Sequence, residues 1–198
     1  MSKLEGTKTL TNLMKAFAGE SQARNRYTYF ASIARKEGMN QIEAIFLETA
    51  DNEKEHAKLF YKAIASGLGG AHVAVPVEIT ASYPVAYGGT RENLVAAAAG
   101  EHEEWSDLYR SFANEADSEG FADVATTFRM ISEVEKRHEA RYQKLAANIA
   151  GDLVFRKLVP TLWKCGNCGY VHEGPEAPEV CPACKHPRAY FEVFCENY

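Results

Sequence analysis

The sequence predicts a mainly α fold: a four-helix bundle built from two repeated hairpins, with a small cysteine-rich, metal-bound domain of strands and loops behind it. Three observations carry this reading. Apolar residues recur at helical spacing through four long stretches, the two halves of those stretches superimpose on each other, and all five cysteines lie from Cys165 onward. A chain of 198 residues has room for one ordinary domain and a small one. With 46% hydrophobic and 25% charged residues it has the composition of a globular protein, not of a disordered tail.

The elements follow in order. From Thr9 to Glu37, Leu10, Leu13, Phe17, Phe30 and Ile33 keep helical spacing with no proline between them. Gly38 suits a helix stop, and Asn40 suits the cap of a second helix running to about Ser66. Residues 67–89 change character, with Gly69-Gly70, Pro76, Pro84 and Gly88-Gly89 spread among β-branched residues. Such a stretch is too long for a turn and reads as a crossover. Thr90 is a candidate cap for a third helix ending near Gly120, and a fourth spans about Phe121 to Ala150. The expected division is therefore a bundle over 1–151, a linker over 152–161 that ends in Val159-Pro160, and a tail over 162–198.

The repeat is specific. A shift of 82 places Glu37-Gly38-Met39 on Glu119-Gly120-Phe121, Phe46 on Phe128, and Glu53-x-x-His56 on Glu135-x-x-His138. A shift of 81 places Ala18-Gly19-Glu20 on Ala99-Gly100-Glu101. Glu20 and Glu53 lie on opposite sides of Gly38, and Glu101 and Glu135 on opposite sides of Gly120, at comparable distances. In an antiparallel hairpin such pairs sit level, deep inside helices of roughly 40 Å. Positions i and i+3 share a face, so Glu53 with His56, and Glu135 with His138, point inward together.

Four carboxylates and two imidazoles in an apolar bundle demand a cation, because buried like charges cost several kcal/mol each when uncompensated. Oxygen and imidazole donors suit iron or manganese better than a thiolate metal. A Glu from each of two helices and a Glu-x-x-His from each of the others is the ligand set of ferritin-like di-metal proteins. Glu104, one turn after Glu101, corresponds to Ala23 and makes the site asymmetric. Tyr27 and Tyr109 fall near the faces of Glu20 and Glu101, where a phenol suits a hydrogen bond to a ligating carboxylate. Glu43, Glu48, Glu55, Glu103 and Glu139 read as solvated acids.

In the tail, Cys165-x-x-Cys168-Gly169-Tyr170 and Cys181-Pro182-x-Cys184 form two knuckles, with Trp163, Tyr170 and Phe191 to pack around them. Four thiolates hold tetrahedral zinc or iron. The spacer, residues 169–180, is shorter than the roughly 15–20 residues of zinc ribbons, and the knuckles resemble rubredoxin, which favours a one-electron iron site. Cys195, His72, His102, His172 and His186 fall outside both patterns.

The order of these motifs along essentially the whole chain resembles the rubrerythrin family. The resemblance implies a non-haem di-iron peroxidase that reduces hydrogen peroxide to water in oxidative-stress defence. It implies two irons in the bundle, oxo- or hydroxo-bridged when oxidised, and one iron on Cys165, Cys168, Cys181 and Cys184. Glu53 and Glu135 would bridge the pair, Glu20 and Glu101 would bind terminally, and His138 would hold one iron. The other iron would alternate between Glu104 when oxidised and His56 when reduced. An NAD(P)H-dependent reductase, rubredoxin or both would supply electrons, passed from one subunit's tail to its neighbour's bundle, hence a homodimer or larger assembly. Zinc or manganese could replace iron in a given preparation. Rival readings on the same metals are a ferroxidase or oxygen reductase, or an iron-binding protein.

The net charge of −5 argues against nucleic acid or an anionic membrane as the main partner. No apolar run reaches the length of a membrane span and the N-terminus has no signal-peptide core, so the cytoplasm is the expected compartment.

Overall fold

The computed structural model describes residues 4–70 and 74–197. His72, set aside above, lies outside them. The helices are α1 (Lys8–Lys36), α2 (Asn40–Gly67), α3 (Thr90–Glu103), α4 (Tyr109–Ser118) and α5 (Ala122–Ala150), with a π-helical turn at Glu104–Leu108 joining α3 to α4. Helix α1 packs along α2, and the α3–α4 unit packs along α5, giving the two expected hairpins. Among the described residues no helix is long and apolar enough to cross a membrane.

Two expected caps are displaced. Asn40 lies inside α2 behind Met39, whose side chain makes no capping bond. The chain reverses through Gly38 at φ +75° while the Met39 amide donates to the Ala34 carbonyl at 2.9 Å, so α2 begins at once. Thr90 is likewise inside α3, behind Gly89. The exposed donors there are met from a distance: Glu37 Oε2 accepts from the Thr90 amide at 3.1 Å, and the Asn93 side chain brackets Gly88. The repeat mate of Glu37 does the same for α1, as Glu119 accepts from the Lys8 and Thr9 amides at 3.0 and 2.8 Å.

The third helix is not the continuous one the periodicity predicts. Glu101 answers Glu20 at a shift of 81, whereas Tyr109 answers Tyr27 at 82. The π turn between them holds the extra residue, a single-turn widening of a kind common at functional sites.

Two aromatic clusters fill the bundle. One surrounds Tyr27, Phe30, Phe46 and Tyr142, the other Phe60, Tyr109 and Phe128. Phe30, Phe46, Phe60 and Phe128 are fully buried, each contributing about 1.5–3 kcal/mol through burial.

The tail is a three-stranded antiparallel sheet in the order β2–β1–β3, with β1 Arg156–Cys165, β2 Val171–Glu176 and β3 Phe191–Val193. Strand β1 starts within the stretch expected as a linker, so only residues 151–155 connect the bundle to the sheet. Arg156 pairs with Glu176, and the register shifts before Thr161, which takes Pro160 through the strand where no ladder donor is required. Trp163 is fully buried and donates to the Gly174 carbonyl at 3.0 Å. The tail meets the bundle at the first hairpin turn, where Ala189 Cβ is 3.6 Å from the position a Cβ would take on Gly38.

Candidate metal centres

The helix pairing brings six of the expected bundle residues into one buried site. Glu20, Glu53, Glu101 and Glu135 are each at most 1% exposed, and His56 and His138 are also buried. Their ligand atoms form two groups, each within 4.8 Å: Glu20, Glu53, His56 and Glu135, and Glu53, Glu101, Glu135 and His138.

Glu53 and Glu135 belong to both groups. His56 Nδ1 lies 2.9 Å from Glu53 Oε2 and 2.9 Å from Glu135 Oε1. His138 Nδ1 lies 3.3 Å from Glu53 Oε1 and 2.8 Å from Glu135 Oε2. Each of these carboxylates thus turns one oxygen to each imidazole. Glu20 Oε2 stands 3.6 Å from His56, and Glu101 Oε2 stands 4.0 Å from His138.

The donor set fits a pair of cations. Both oxygens of Glu53 and of Glu135, Glu101 Oε2, and Nδ1 of both histidines are buried without hydrogen-bond partners, an arrangement too costly to keep unless something else satisfies them. Burial and the Glu53 charge push Glu20 well above the ordinary carboxylate range, and burial with Glu53 and Glu135 does the same to Glu101. Burial also works against Glu53, but the two imidazoles outweigh it and hold its carboxyl down to about 2. Burial opposes the charge on His138 too, yet Glu135 and Glu53 raise it to about 9. Two metal ions would replace this internal proton sharing with a fixed positive charge.

The tyrosines reach across the bundle instead of serving their own hairpins. Tyr27 Oη donates to Glu101 Oε1 at 2.5 Å, and Tyr109 Oη donates to Glu20 Oε1 at 2.5 Å. Each leaves the carboxylate's other oxygen facing the site.

Glu104 is in neither group. It lies beside them on the π turn and lines a cavity with Gly19, Arg26, Tyr83 and Tyr109. Burial, Glu135 and Glu53 push its carboxyl well up, opposed by Arg26.

Several site residues have no signature in the sequence. Asn52 Oδ1 lies 3.3 Å from His138 Nε2, an acceptor that suits a proton on that nitrogen and so would leave Nδ1 to a metal. Trp105, on the π turn, gives its indole N–H to Glu139, while Ser132 donates to the Trp105 carbonyl at 3.2 Å. Glu139, read above as simply solvated, also meets His102 at 3.1 Å and Gln143 at 2.7 Å. The one usable signal was the change of repeat shift across the turn that holds Trp105.

In the tail the four expected sulfurs converge within 4.8 Å. Cys165 Sγ is 3.7 Å from Cys184 Sγ, and Cys168 Sγ is 3.7 Å from Cys181 Sγ. The knuckles are built alike. Gly169 and Lys185, each following its second cysteine, take positive φ (+79° and +65°) and donate to the Cys165 and Cys181 carbonyls at 2.8 and 2.9 Å. The Cys165 and Cys181 amides each donate at 2.8 Å, to the Tyr170 and His186 carbonyls. Hydrogen bonding from the His186 backbone lowers the Cys184 thiol to about 6. Four thiolates this close, half of them buried, suit one tetrahedral iron. Cys195 is exposed and outside the cluster.

Comparison with known proteins agrees with both centres. The Rubrerythrin family model matches residues 11–146, and the model for the rubrerythrin rubredoxin-like domain matches residues 163–192. The chain is 60% identical to rubrerythrin of Clostridium perfringens and 57% identical to rubrerythrin-1 of Clostridium acetobutylicum, covering 100% of both chains in each case. A solved structure of partially reduced nigerythrin superimposes with a TM-score of 0.63 at 33% identity, covering 96% of this chain and 90% of that one.

Proposed function

The chain belongs to the rubrerythrin family, with a carboxylate–histidine di-iron site and a rubredoxin-like four-cysteine site, and from that premise we propose that it is a peroxidase that reduces hydrogen peroxide to water. The observation that supports this reading best is the sharing of Glu53 and Glu135 between the two histidines, which would let a pair of metals act together on one O–O bond. Two ferrous ions there supply the two electrons of the reduction and Lewis acidity toward the departing oxygen.

The side chains have distinct tasks. Glu53 and Glu135, which each turn one oxygen toward each imidazole, would be shared between the two metals. Glu20 and Glu101 would each serve one metal, and each is held by the tyrosine of the other hairpin. His138 is fixed in orientation by Asn52. His56 stands already among Glu20, Glu53 and Glu135. Glu104 is poised alongside as the carboxylate that would replace it when the site carries more positive charge.

Cys165, Cys168, Cys181 and Cys184 would bring electrons in singly. Within one chain, Ala189 of the tail rests on Gly38, and the helix rises roughly 22 Å from there to Glu53. Electron tunnelling falls off steeply with distance, so we assign the transfer to a neighbouring chain's bundle, in a homodimer or larger assembly.

An anaerobic titration tests the proposal. The iron-loaded protein is fully reduced and given hydrogen peroxide or oxygen while the visible band of the oxidised iron–thiolate site is followed. The band should return quickly with peroxide and slowly with oxygen. A band that responds to oxygen and not to peroxide would reject the peroxidase reading in favour of an oxygen reductase or ferroxidase.

A further inference from the structure

Beside the metal centre lies a cavity of about 270 Å³ between α1 and the π turn, roofed by residues 81–84 of the crossover. The roof is tied down by Tyr83, whose hydroxyl donates to the Lys15 carbonyl at 2.9 Å, and by Arg26, which donates to the Pro84 carbonyl at 3.3 Å. Hydrogen peroxide is little larger than water and would fill only a fraction of this space. A dry cavity of about 150 Å³ is enough to hold benzene. The wall exposes more apolar than polar surface, with Pro84, Leu108 and Phe112 among its lining, and Glu104 and Arg26 are part of it.

A polar feature accompanies the apolar one. Arg26 lines the cavity, is only 7% exposed, and its Nε is buried without a hydrogen-bond partner. A buried guanidinium N–H left open next to an apolar chamber suits a ligand with an oxygen at one end and a hydrocarbon group at the other. Gly19 lines the cavity between Tyr83 and Glu104, the position a Cβ would take there lying 3.5 Å from the Tyr83 ring and 3.9 Å from Glu104 Oε1.

We propose that this cavity is a substrate site for organic hydroperoxides, with the hydroperoxy group at the Arg26 and Glu104 end and the hydrocarbon group against Leu108 and Phe112. The inference rests on the peroxidase reading above. The O–O bond breaks, two electrons come from the reduced metal pair and two protons from solvent, and ROOH leaves as ROH and water.

The test uses the reduced, iron-loaded full chain mixed anaerobically with hydrogen peroxide and with cumene hydroperoxide, following the iron–thiolate band. Both should reoxidise the protein, with rates within about tenfold of each other. Leu108→Trp, which fills the chamber, should slow the reaction with cumene hydroperoxide at least tenfold, Leu108→Ala should not slow it, and neither should change the hydrogen peroxide rate more than threefold. A second readout needs no turnover: zinc-loaded full-length protein titrated with 2-phenyl-2-propanol should show the Leu108 methyl resonances shifting saturably. Oxidation by hydrogen peroxide alone would overturn the organic-hydroperoxide site and leave the peroxidase reading standing. Failure with both oxidants would reject the peroxidase reading itself. Equal slowing of both substrates by Leu108→Trp, or unmoved Leu108 methyls, would overturn the placement of the site.

Discussion

Tyr27 on the first helix holds Glu101 on the third, its hydroxyl donating at 2.5 Å, so the carboxylate of one hairpin is aimed by the phenol of the other. Tyr109 does the same for Glu20. Removing either hydroxyl leaves a buried carboxylate oxygen without its donor and a ligand free to rotate. Tyr27→Phe and Tyr109→Phe should each weaken iron binding about tenfold, within the range for outer ligand partners. Competition against a chelator measures this, and unchanged affinity in both variants would reject the positioning role.

Asn52 fixes the tautomer of His138 through Nε2. Asn52→Leu keeps similar bulk and removes the acceptor, so the imidazole should turn more freely and metal affinity should fall about tenfold. Asn52→Asp keeps an acceptor and should retain most of it. Equal loss in both variants would show that packing, not the hydrogen bond, matters at this position.

Without metal, pH should act on stability in one direction. His138, raised to about 9 by Glu135 and Glu53 against the cost of burial, is protonated in the fold where an unfolded imidazole would be neutral. Its stabilisation is complete below 6.5 and lost as pH rises through about 9. Glu20, Glu101 and Glu104, also raised, stay neutral in the fold where their unfolded counterparts ionise above 4.5, so they lower stability on the same upward path. The Tm of the metal-free chain should therefore fall between pH 6.5 and 9. Metal binding needs the deprotonated ligands, so the loaded protein should gain affinity over that interval. A metal-free Tm that rises with pH would contradict the assignment.

Glu37 and Glu119 cap each other's hairpins. Glu119→Ala should speed amide exchange of Thr9 about fivefold, equivalent to about 1 kcal/mol, without changing Thr90. Glu37→Ala should do the reverse. Native-state hydrogen exchange reads both, and a uniform effect on the two helix starts would refute local capping.

Replacing Cys165 and Cys184 by serine should abolish turnover with an electron donor but leave a single oxidation of the chemically reduced bundle by peroxide intact. Turnover that survives would exclude the relay role of the tail.

Much of this was legible in the sequence because it is periodic. Glu-x-x-His at i and i+3, the level glutamates across Gly38 and Gly120, and the paired knuckles are local patterns that long helices and tight turns project without ambiguity. The reach of Tyr27 was not legible, because a helical face says which way a side chain points but not which neighbour stands there. The caps failed for a related reason. Asn40 and Thr90 have good capping chemistry, yet Gly38 reverses the chain so sharply that α2 starts immediately, and Glu37 serves α3 from another element. The early start of β1 was hidden by Val159-Pro160, which reads as a linker until a partner strand with a shifted register accepts it. The π turn was written in the change from a shift of 81 to one of 82, a single residue that helical periodicity absorbs.

The crossed tyrosines and crossed caps are one set of contacts made twice with the partners exchanged. That is the self-complementarity of a two-fold isologous interface. A hairpin carrying Glu20, Tyr27, Glu37, Glu53 and His56 matches a copy of itself, and two identical hairpins would close a symmetric di-metal cage without any covalent link. The crossover of residues 67–89 changes what that cage can become. By joining the halves it allows one to depart from the other, and the departure is concentrated where Glu104 and its widened turn face Ala23 across the pseudo-symmetry axis. Two identical chains would have to carry the extra acid on both sides; a tandem chain carries it on one, so its two metal positions need not be equivalent.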